Sequence, residues 1–193
     1  MRKWTEYSRC FTNLKFSDDN LDRYLLSKTW DTEKPSLAII MIAPSEATGI
    51  ALDSTTMLVL NHAARLGYGS VSILNLFARV NDFSLKYAED EDPENLKAIV
   101  AAAQTADTIV YAAGVGKAAN KQFQERQKQV LTALRPMEDK LHCLSNADGH
   151  ARLQHPLSPA VRTWHLSPLK VSELVEEIKP EPAKKSKTRK ENL

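Results

Sequence analysis

The chain has little of what usually announces a chemistry or an address. It holds only two cysteines in 193 residues, Cys10 and Cys143. Two so far apart give neither a disulfide framework nor metal-ligand spacing, so no metal or other cofactor is expected and a reducing, cytoplasmic setting fits. No apolar run approaches the roughly 20 residues that span a bilayer. The opening "MRKWTEYSRCF" lacks the apolar core of a signal peptide, which predicts a soluble protein with no membrane contact. Neither a P-loop nor a GxGxxG pattern occurs, which disfavours nucleoside triphosphates and dinucleotides. Ser45, Asp53 and His155 are all present, but the G-x-S-x-G elbow is absent, and a serine hydrolase has little footing.

What the chain does contain is apolar: 42% of its residues are hydrophobic, enough for one sizeable core. A single α/β domain over residues 1–178 and a basic tail over 179–193 are expected. The net charge of +2 arises in that tail, "KPEPAKKSKTRKENL", which carries six Lys or Arg against two Glu. It is either a solvated, disordered terminus or a segment drawn to phosphate backbones and other acidic surfaces.

From residue 37 onward, apolar strand-like runs alternate with helix-like segments, the pattern of βα units. "LAIIMIA" (37–43), "VSILNLFA" (71–78), "DTIVYAAG" (107–114) and "KLHCLS" (140–145) read as four buried parallel strands. Helices are expected over 54–69, 92–106 and 117–136. In the first of them Met57, Leu58, Asn61, Ala64 and Arg65 fall at helical spacings, with Asp53 or Ser54 as its cap. Asp92 and Pro93 open the second, and Phe123, Val130, Leu131 and Leu134 stripe the third. "NLDRYLLSKTW" (20–30) fits either an amphipathic helix or a strand pair. The economical solution is a three-layer α/β/α sandwich around a four-stranded, mainly parallel sheet.

Ligands of such sheets bind beyond the carboxyl ends of the strands, which selects four loops. In the first, Pro44, Ser45, Glu46 and Asp53 offer hydroxyl and carboxylate groups before a helix N-terminus, for capping or for holding a polar ligand. In the second, "NLFARVND", Asn75 interrupts an apolar run and must find partners, either in neighbouring loops or in a ligand, with Phe77 close behind. Gly114 and Gly116 end the third strand, and Lys117 and Lys121 make that rim positive. The fourth loop, "SNADGHARLQHPLSPAV", is the most informative. His155 precedes Pro156, and Ser158 precedes Pro159, so a titratable imidazole sits on a stiffened backbone. His142 and His150 stand nearby in sequence without a third ligand type at metal spacing.

The segments "RYLLSKTW", "IIMIAPSEATGIALDSTT", "RLGYGSVSILNLFA", "DPENL" and "HCLSNADGHARLQHPLSPA" resemble, in order and spacing, the bacterial and phage family known as domain of unknown function 1643. That resemblance covers roughly residues 20–160 and brings no assigned reaction. More distantly, a strand entering a proline turn, a strand ending in Asn-Leu and a late "HPLSP" are similar to the ordered motifs of the uracil-DNA glycosylase superfamily. This second resemblance implies a nucleic-acid or nucleotide ligand and hydrolysis of an N-glycosidic bond. It makes His155 the stabiliser of the departing base, Asn75 the base-recognising amide and the Ala43-Pro44-Ser45 turn the water site. Pro44, Ser45, Phe77, Gly114 and Ser158 would line the ligand site, with Lys117, Lys121 and Ser158 on the nucleic-acid backbone. Before Pro44, where the related proteins carry Asn or Asp, this chain has Ala43, whose methyl group cannot orient water. Either Glu46 or Asp53 takes that role or the chain binds without cleaving; a factor that binds and inhibits a protein partner is the third alternative.

Overall fold

The computed structural model describes residues 10–47, 49–82, 84, 93–114, 120–172 and 174. Asp92, Gly116, Lys117 and the 179–193 tail therefore lie outside the described residues.

The four expected parallel strands form: β3 (Ser36–Met41), β4 (Ser70–Asn75), β5 (Thr108–Tyr111) and β6 (Leu141–Ser145). They lie side by side in the order β4-β3-β5-β6, each pair parallel. They are the centre of a larger sheet. The sheet is seven-stranded and mixed, which corrects the expectation of a four-stranded, mainly parallel one. The segment 20–30, read as an amphipathic helix or a strand pair, forms one strand whose partner lies upstream of it. β1 (Phe11–Phe16) and β2 (Arg23–Thr29) are antiparallel to each other, and β2 runs antiparallel along β4. At the far edge, β7 (His165–Pro168) pairs antiparallel with β6.

Helices flank the sheet, among the described residues α1 (Ser54–Arg65), α2 (Pro93–Thr105) and α3 (Lys121–Leu134). The continuous apolar strands feed two cores, because successive side chains point to opposite faces. Leu37, Ile39 and Met41 of β3 pack on one face with Val59 and Ala63 of α1. Ala38 and Ile40 join Ile99 and Ala103 of α2 and Phe123, Val130, Leu131 and Leu134 of α3 on the other. Helices thus cover both faces. Tyr111 is fully enclosed in the second core, where its hydroxyl accepts a 2.7 Å hydrogen bond from Gln127 Nε2. Burial holds that phenol well above its ordinary pKa.

The α1 face differs from the sequence expectation. Thr56, Val59, His62 and Ala63 are buried, while Met57 is 48% exposed and Ala64 and Arg65 are exposed. At about 100° per residue the buried set centres about 170° from the expected one, so the inward stripe lies on nearly the opposite side of the helix. Val59 and Ala63 supply the apolar contacts of that side, and Asp53 is the cap, accepting from Thr56 N–H at 2.6 Å. One glycine is demanded by packing: a Cβ on Gly69, just before β4, would sit 1.9 Å from the Asp31 carbonyl oxygen.

Candidate functional site

The carboxyl ends of the parallel strands open into a pocket of about 290 Å³ lined by Arg23, Met41, Ile42, Ala43, Ser45, Asp53, Thr55, Thr56, His155 and Leu157. That lies at the small end of the range for small-molecule sites. The first of the four loops therefore supplies most of the wall, and the fourth supplies His155 and Leu157. Gly114, just beyond β5, lies beside the His155 loop: a Cβ there would stand 3.7 Å from both the Cβ and the backbone nitrogen of His155, an ordinary contact, so it is the left-handed φ of +69° and not crowding that favours glycine. The His155 loop, leaving β6, thus passes over the end of β5 to reach the end of β3.

His155 is held by its own turn. The Ser158 N–H donates to the His155 carbonyl at 2.8 Å, closing a turn with Pro156 at its favoured second position. Just upstream, Leu153 takes φ +54°, an uncommon conformation for a bulky residue, and Gln154 N–H returns to the Leu144 carbonyl. The Leu157 N–H donates to His155 Nδ1 at 3.2 Å. An imidazole nitrogen that accepts carries no proton, so the ring is neutral with its proton on Nε2. Its pKa falls below the ordinary histidine value because burial penalises the charged form, a shift that Asp53 opposes only in part. The hydrogen bond and the burial point to one state, a neutral Nε2–H donor.

Asp53 shapes the opposite wall. Burial pushes its pKa up, but hydrogen bonds from the Ser45 hydroxyl and from Thr56, together with the charge of Arg23, outweigh that and leave it below the usual carboxylate value. The Ser45 hydroxyl is thus directed at a carboxylate. With Nδ1 of His155 engaged by the backbone and Nε2 protonated, the ring has no lone pair for a serine proton, and the three residues do not form a nucleophilic triad.

Arg23 is the residue that sequence reasoning missed. It is 2% exposed at the start of β2, whose antiparallel course brings its first residue to the carboxyl ends of the parallel strands. One terminal nitrogen, Nη1, donates to the Ser45 carbonyl at 3.2 Å and to the Ala47 carbonyl at 2.8 Å. Lys28, further along β2, reaches the Gly49 carbonyl at 2.6 Å. Two buried cations of one strand thus fasten the first loop by its carbonyls.

The other sequence candidates are placed differently. Glu46 is exposed, accepts from Asn81 Nδ2 at 2.6 Å and is not among the residues lining the pocket, so of the two candidate carboxylates only Asp53 faces it. Pro44 is buried behind the wall, its carbonyl accepting from Asn81 N–H at 2.8 Å. Phe77 packs in the α2–α3 core, its ring 6.5 Å from that of Phe123. Ser158 turns inward on its own loop, donating to Gln154 at 2.7 Å and capping a short 3-10 turn. Lys121 is exposed beside Glu125 at 3.6 Å. His142 and His150 do not reach the pocket, and among the described residues no three His, Cys, Asp or Glu side chains cluster as metal ligands would. No described helix is long and apolar enough to cross a membrane.

Asn75, at the end of β4, is 1% exposed, and neither its Nδ2 nor its Oδ1 has a hydrogen-bond partner. Its register partner on β3 is Met41, a wall residue of the pocket. Asn95 of α2 donates to the backbone carbonyls of Asn75 and Leu76 at 3.1 and 3.0 Å, so the end of β4 is clamped while the Asn75 amide stays unspent.

No curated protein and no solved structure matches the chain. The family model described as "Protein of unknown function (DUF1643)" matches residues 23–157, which begins at Arg23 and ends at Leu157, both on the pocket wall. With more than half of its length covered, the chain belongs to the DUF1643 family.

Proposed function

We propose that this pocket takes a nucleobase-bearing ligand, a nucleotide or a unit of nucleic acid, and that it hydrolyses the N-glycosidic bond. The observation that carries the reading is the pairing, across one small pocket, of a neutral imidazole fixed as an Nε2–H donor with an ionised carboxylate. Breaking that bond puts negative charge on the departing base and positive charge on the sugar. A preorganised donor on one side and a carboxylate on the other are the two groups such a separation requires. His155 Nε2–H donates to the base as it leaves. Asp53 stabilises the sugar cation and accepts a hydrogen bond from the attacking water; water adds to the sugar carbon, and the base departs with a proton. A carboxylate with a depressed pKa is a weak base, so Asp53 acts chiefly through its charge and by orienting water.

The resemblance in motif order to uracil-DNA glycosylases supports the same reading. Asn75 stands apart from this pairing: its amide is enclosed beside Met41 and is not among the residues lining the pocket. A second reading has its own observation. Ala43 presents a methyl group to the pocket, and Asp53 already serves Ser45 and Thr56, which suits a module that binds without cleaving.

The test is base release by the full chain from modified-base oligonucleotides and free nucleosides, comparing the native protein with His155→Ala, Asp53→Asn and Glu46→Ala. Release that depends on His155 and Asp53 and not on Glu46 is expected. Binding without release across the panel overturns hydrolysis in favour of the second reading, and absence of both overturns the ligand class.

A further inference from the structure

From Gly149 to Ser172 the chain has no Asp or Glu, while it holds Arg152, Arg162 and Lys170 together with His150, His155 and His165. The fold gathers this acid-free stretch along one margin. After leaving β6 it supplies His155 and Leu157 to the pocket, makes a short 3-10 turn (Pro159–Val161) and returns as β7, the outermost strand on that side of the sheet. Arg162 closes the turn, and His165 opens β7 opposite Ser145, the last residue of β6, so both stand at the pocket end of the sheet. Arg152 reaches the other end of β7, its Nη2 donating to the Pro168 carbonyl at 2.7 Å, and Lys170 follows just beyond. All four side chains are exposed. Asp148 and Glu138, which adjoin the stretch, are turned to its backbone: Asp148 accepts from His150 N–H at 2.9 Å and Glu138 from Val171 N–H. The opposite side of the pocket has the reverse character, with Glu46 exposed in the first loop and Asp22, paired with Arg79, ahead of β2. A line of cations thus starts beside the pocket and follows β7, and the potential of such a line draws a polyanion.

We propose that a single nucleic-acid strand, with one base seated in the pocket, runs along the β7 edge with its phosphates against Arg162, Arg152 and Lys170. This rests on the nucleobase reading above and extends it from a nucleotide to a polymer. Phosphate contacts of Lys and Arg hold register and carry no sequence information, which suits a site whose selectivity lies in the pocket. A base enters a pocket of about 290 Å³ only when it is unpaired, and one line of cations serves one backbone, so the strand is single. His165 sets a ring between Arg162 and Arg152, on which a neighbouring base can stack. A membrane finds no anchor there, because past Leu157 this stretch exposes no large apolar side chain.

The experiment follows the fluorescence anisotropy of a labelled single-stranded oligonucleotide binding to the full chain across a salt series, with polyglutamate and phosphatidylserine vesicles as competitors. Calorimetry measures a nucleoside monophosphate in parallel. Both are repeated for the double variant Arg162→Gln with Lys170→Gln, two exposed positions whose replacement leaves the core untouched, and for Lys121→Gln on the α3 rim. A further variant joins Lys184→Gln, Lys185→Gln and Lys187→Gln in the C-terminal tail. Each phosphate neutralised on a single strand contributes about 0.7 to the slope of log K against log salt, so the double variant should lower the slope by about 1.4. Its oligonucleotide binding should weaken severalfold at low salt, with binding of the monophosphate unchanged, and Lys121→Gln should alter neither. A slope and an affinity that survive the double variant overturn the proposal, whichever other variant lowers them. Competition by polyglutamate or by vesicles as strong as by unlabelled oligonucleotide overturns nucleic acid as the partner. The nucleobase reading fails separately: an abasic strand that binds as tightly as the base-bearing one, with the double variant weakening both, removes the base and supports the edge.

Discussion

Replacing Asp53 separates the two jobs this residue holds. It caps α1 through a 2.6 Å bond from Thr56 N–H, and it places a negative charge beside the buried cation of Arg23. Asp53→Asn keeps an acceptor oxygen at the cap and removes the charge; Asp53→Ala removes both. Loss of an N-cap costs about 1 kcal/mol, within a range of roughly 0.5–2. The charge contributes less, because Asp53 is only partly buried and solvent screens its interaction with Arg23. Urea unfolding at neutral pH should therefore find Asp53→Ala less stable than the native chain by about 1–2 kcal/mol and Asp53→Asn by less than half of that. The same pair predicts a pH signature. The folded-state pKa of Asp53 is depressed, so the unfolded chain binds the proton more readily, and the carboxylate's contribution is present above the unfolded value of about 3.9 and lost as pH falls through the folded one. On acidification below that value the gap between the native chain and Asp53→Asn should close. Equal losses for the two variants, with a gap to the native chain that does not change with pH, would refute the division into cap and charge.

The neutral state of His155 predicts that its imidazole nitrogens, read by nitrogen-15 NMR, show Nε2–H at neutral pH and titrate below the ordinary value of 6.5, with Asp53 and Arg23 the charged groups facing it. The contribution of His155 to stability is complete above 6.5 and is lost as pH falls through the lower folded value; a ring protonated at pH 7 would contradict it. Asn95→Ala should destabilise the chain by about 1–2 kcal/mol, because the Asn75 carbonyl loses this donor while the Leu76 carbonyl keeps Arg126 Nε at 2.7 Å, and Asn95→Asp should cost more, since it faces acceptors with a buried charge. Denaturant melts of both variants check the order, and an Asp variant as stable as the Ala one would count against the clamp.

The central sheet was legible because β3 to β6 are buried on both faces and read as unbroken apolar runs. The flanking strands were not, for physical reasons that differ strand by strand. β1 lies at one edge with Phe11 and Leu14 exposed, so "FTNLKF" has no clean alternation to detect. β7 is only four residues long and ends in proline, which an edge strand tolerates and a central one does not. β2 alternates, but it buries Lys28, which a pattern of apolar and polar residues scores as outward. The charge is admissible there because its ammonium group spends its donors on the Thr12 hydroxyl and the Gly49 carbonyl.

The same blindness explains the site. Asp53, Ser45 and His155 were readable because loops after parallel strands converge at one end of the sheet whatever their sequence. Phe77 and Glu46 follow from the same loops but point elsewhere, since a one-residue step along an extended chain reverses the side on which a side chain emerges. Arg23 carried no local signal at all: an arginine before an apolar run normally marks the solvated start of a strand. It is enclosed only because β2 adds antiparallel to β4, which brings the first residue of an N-terminal strand to the ligand end of the parallel sheet. An antiparallel strand added to a parallel sheet therefore has two ends of unequal chemical interest, and the residue at its start merits the scrutiny usually kept for the loops that follow parallel strands. In this chain that residue is a buried cation whose Nη1 holds the Ser45 and Ala47 carbonyls, so the start of β2 fixes the loop that supplies most of the pocket wall.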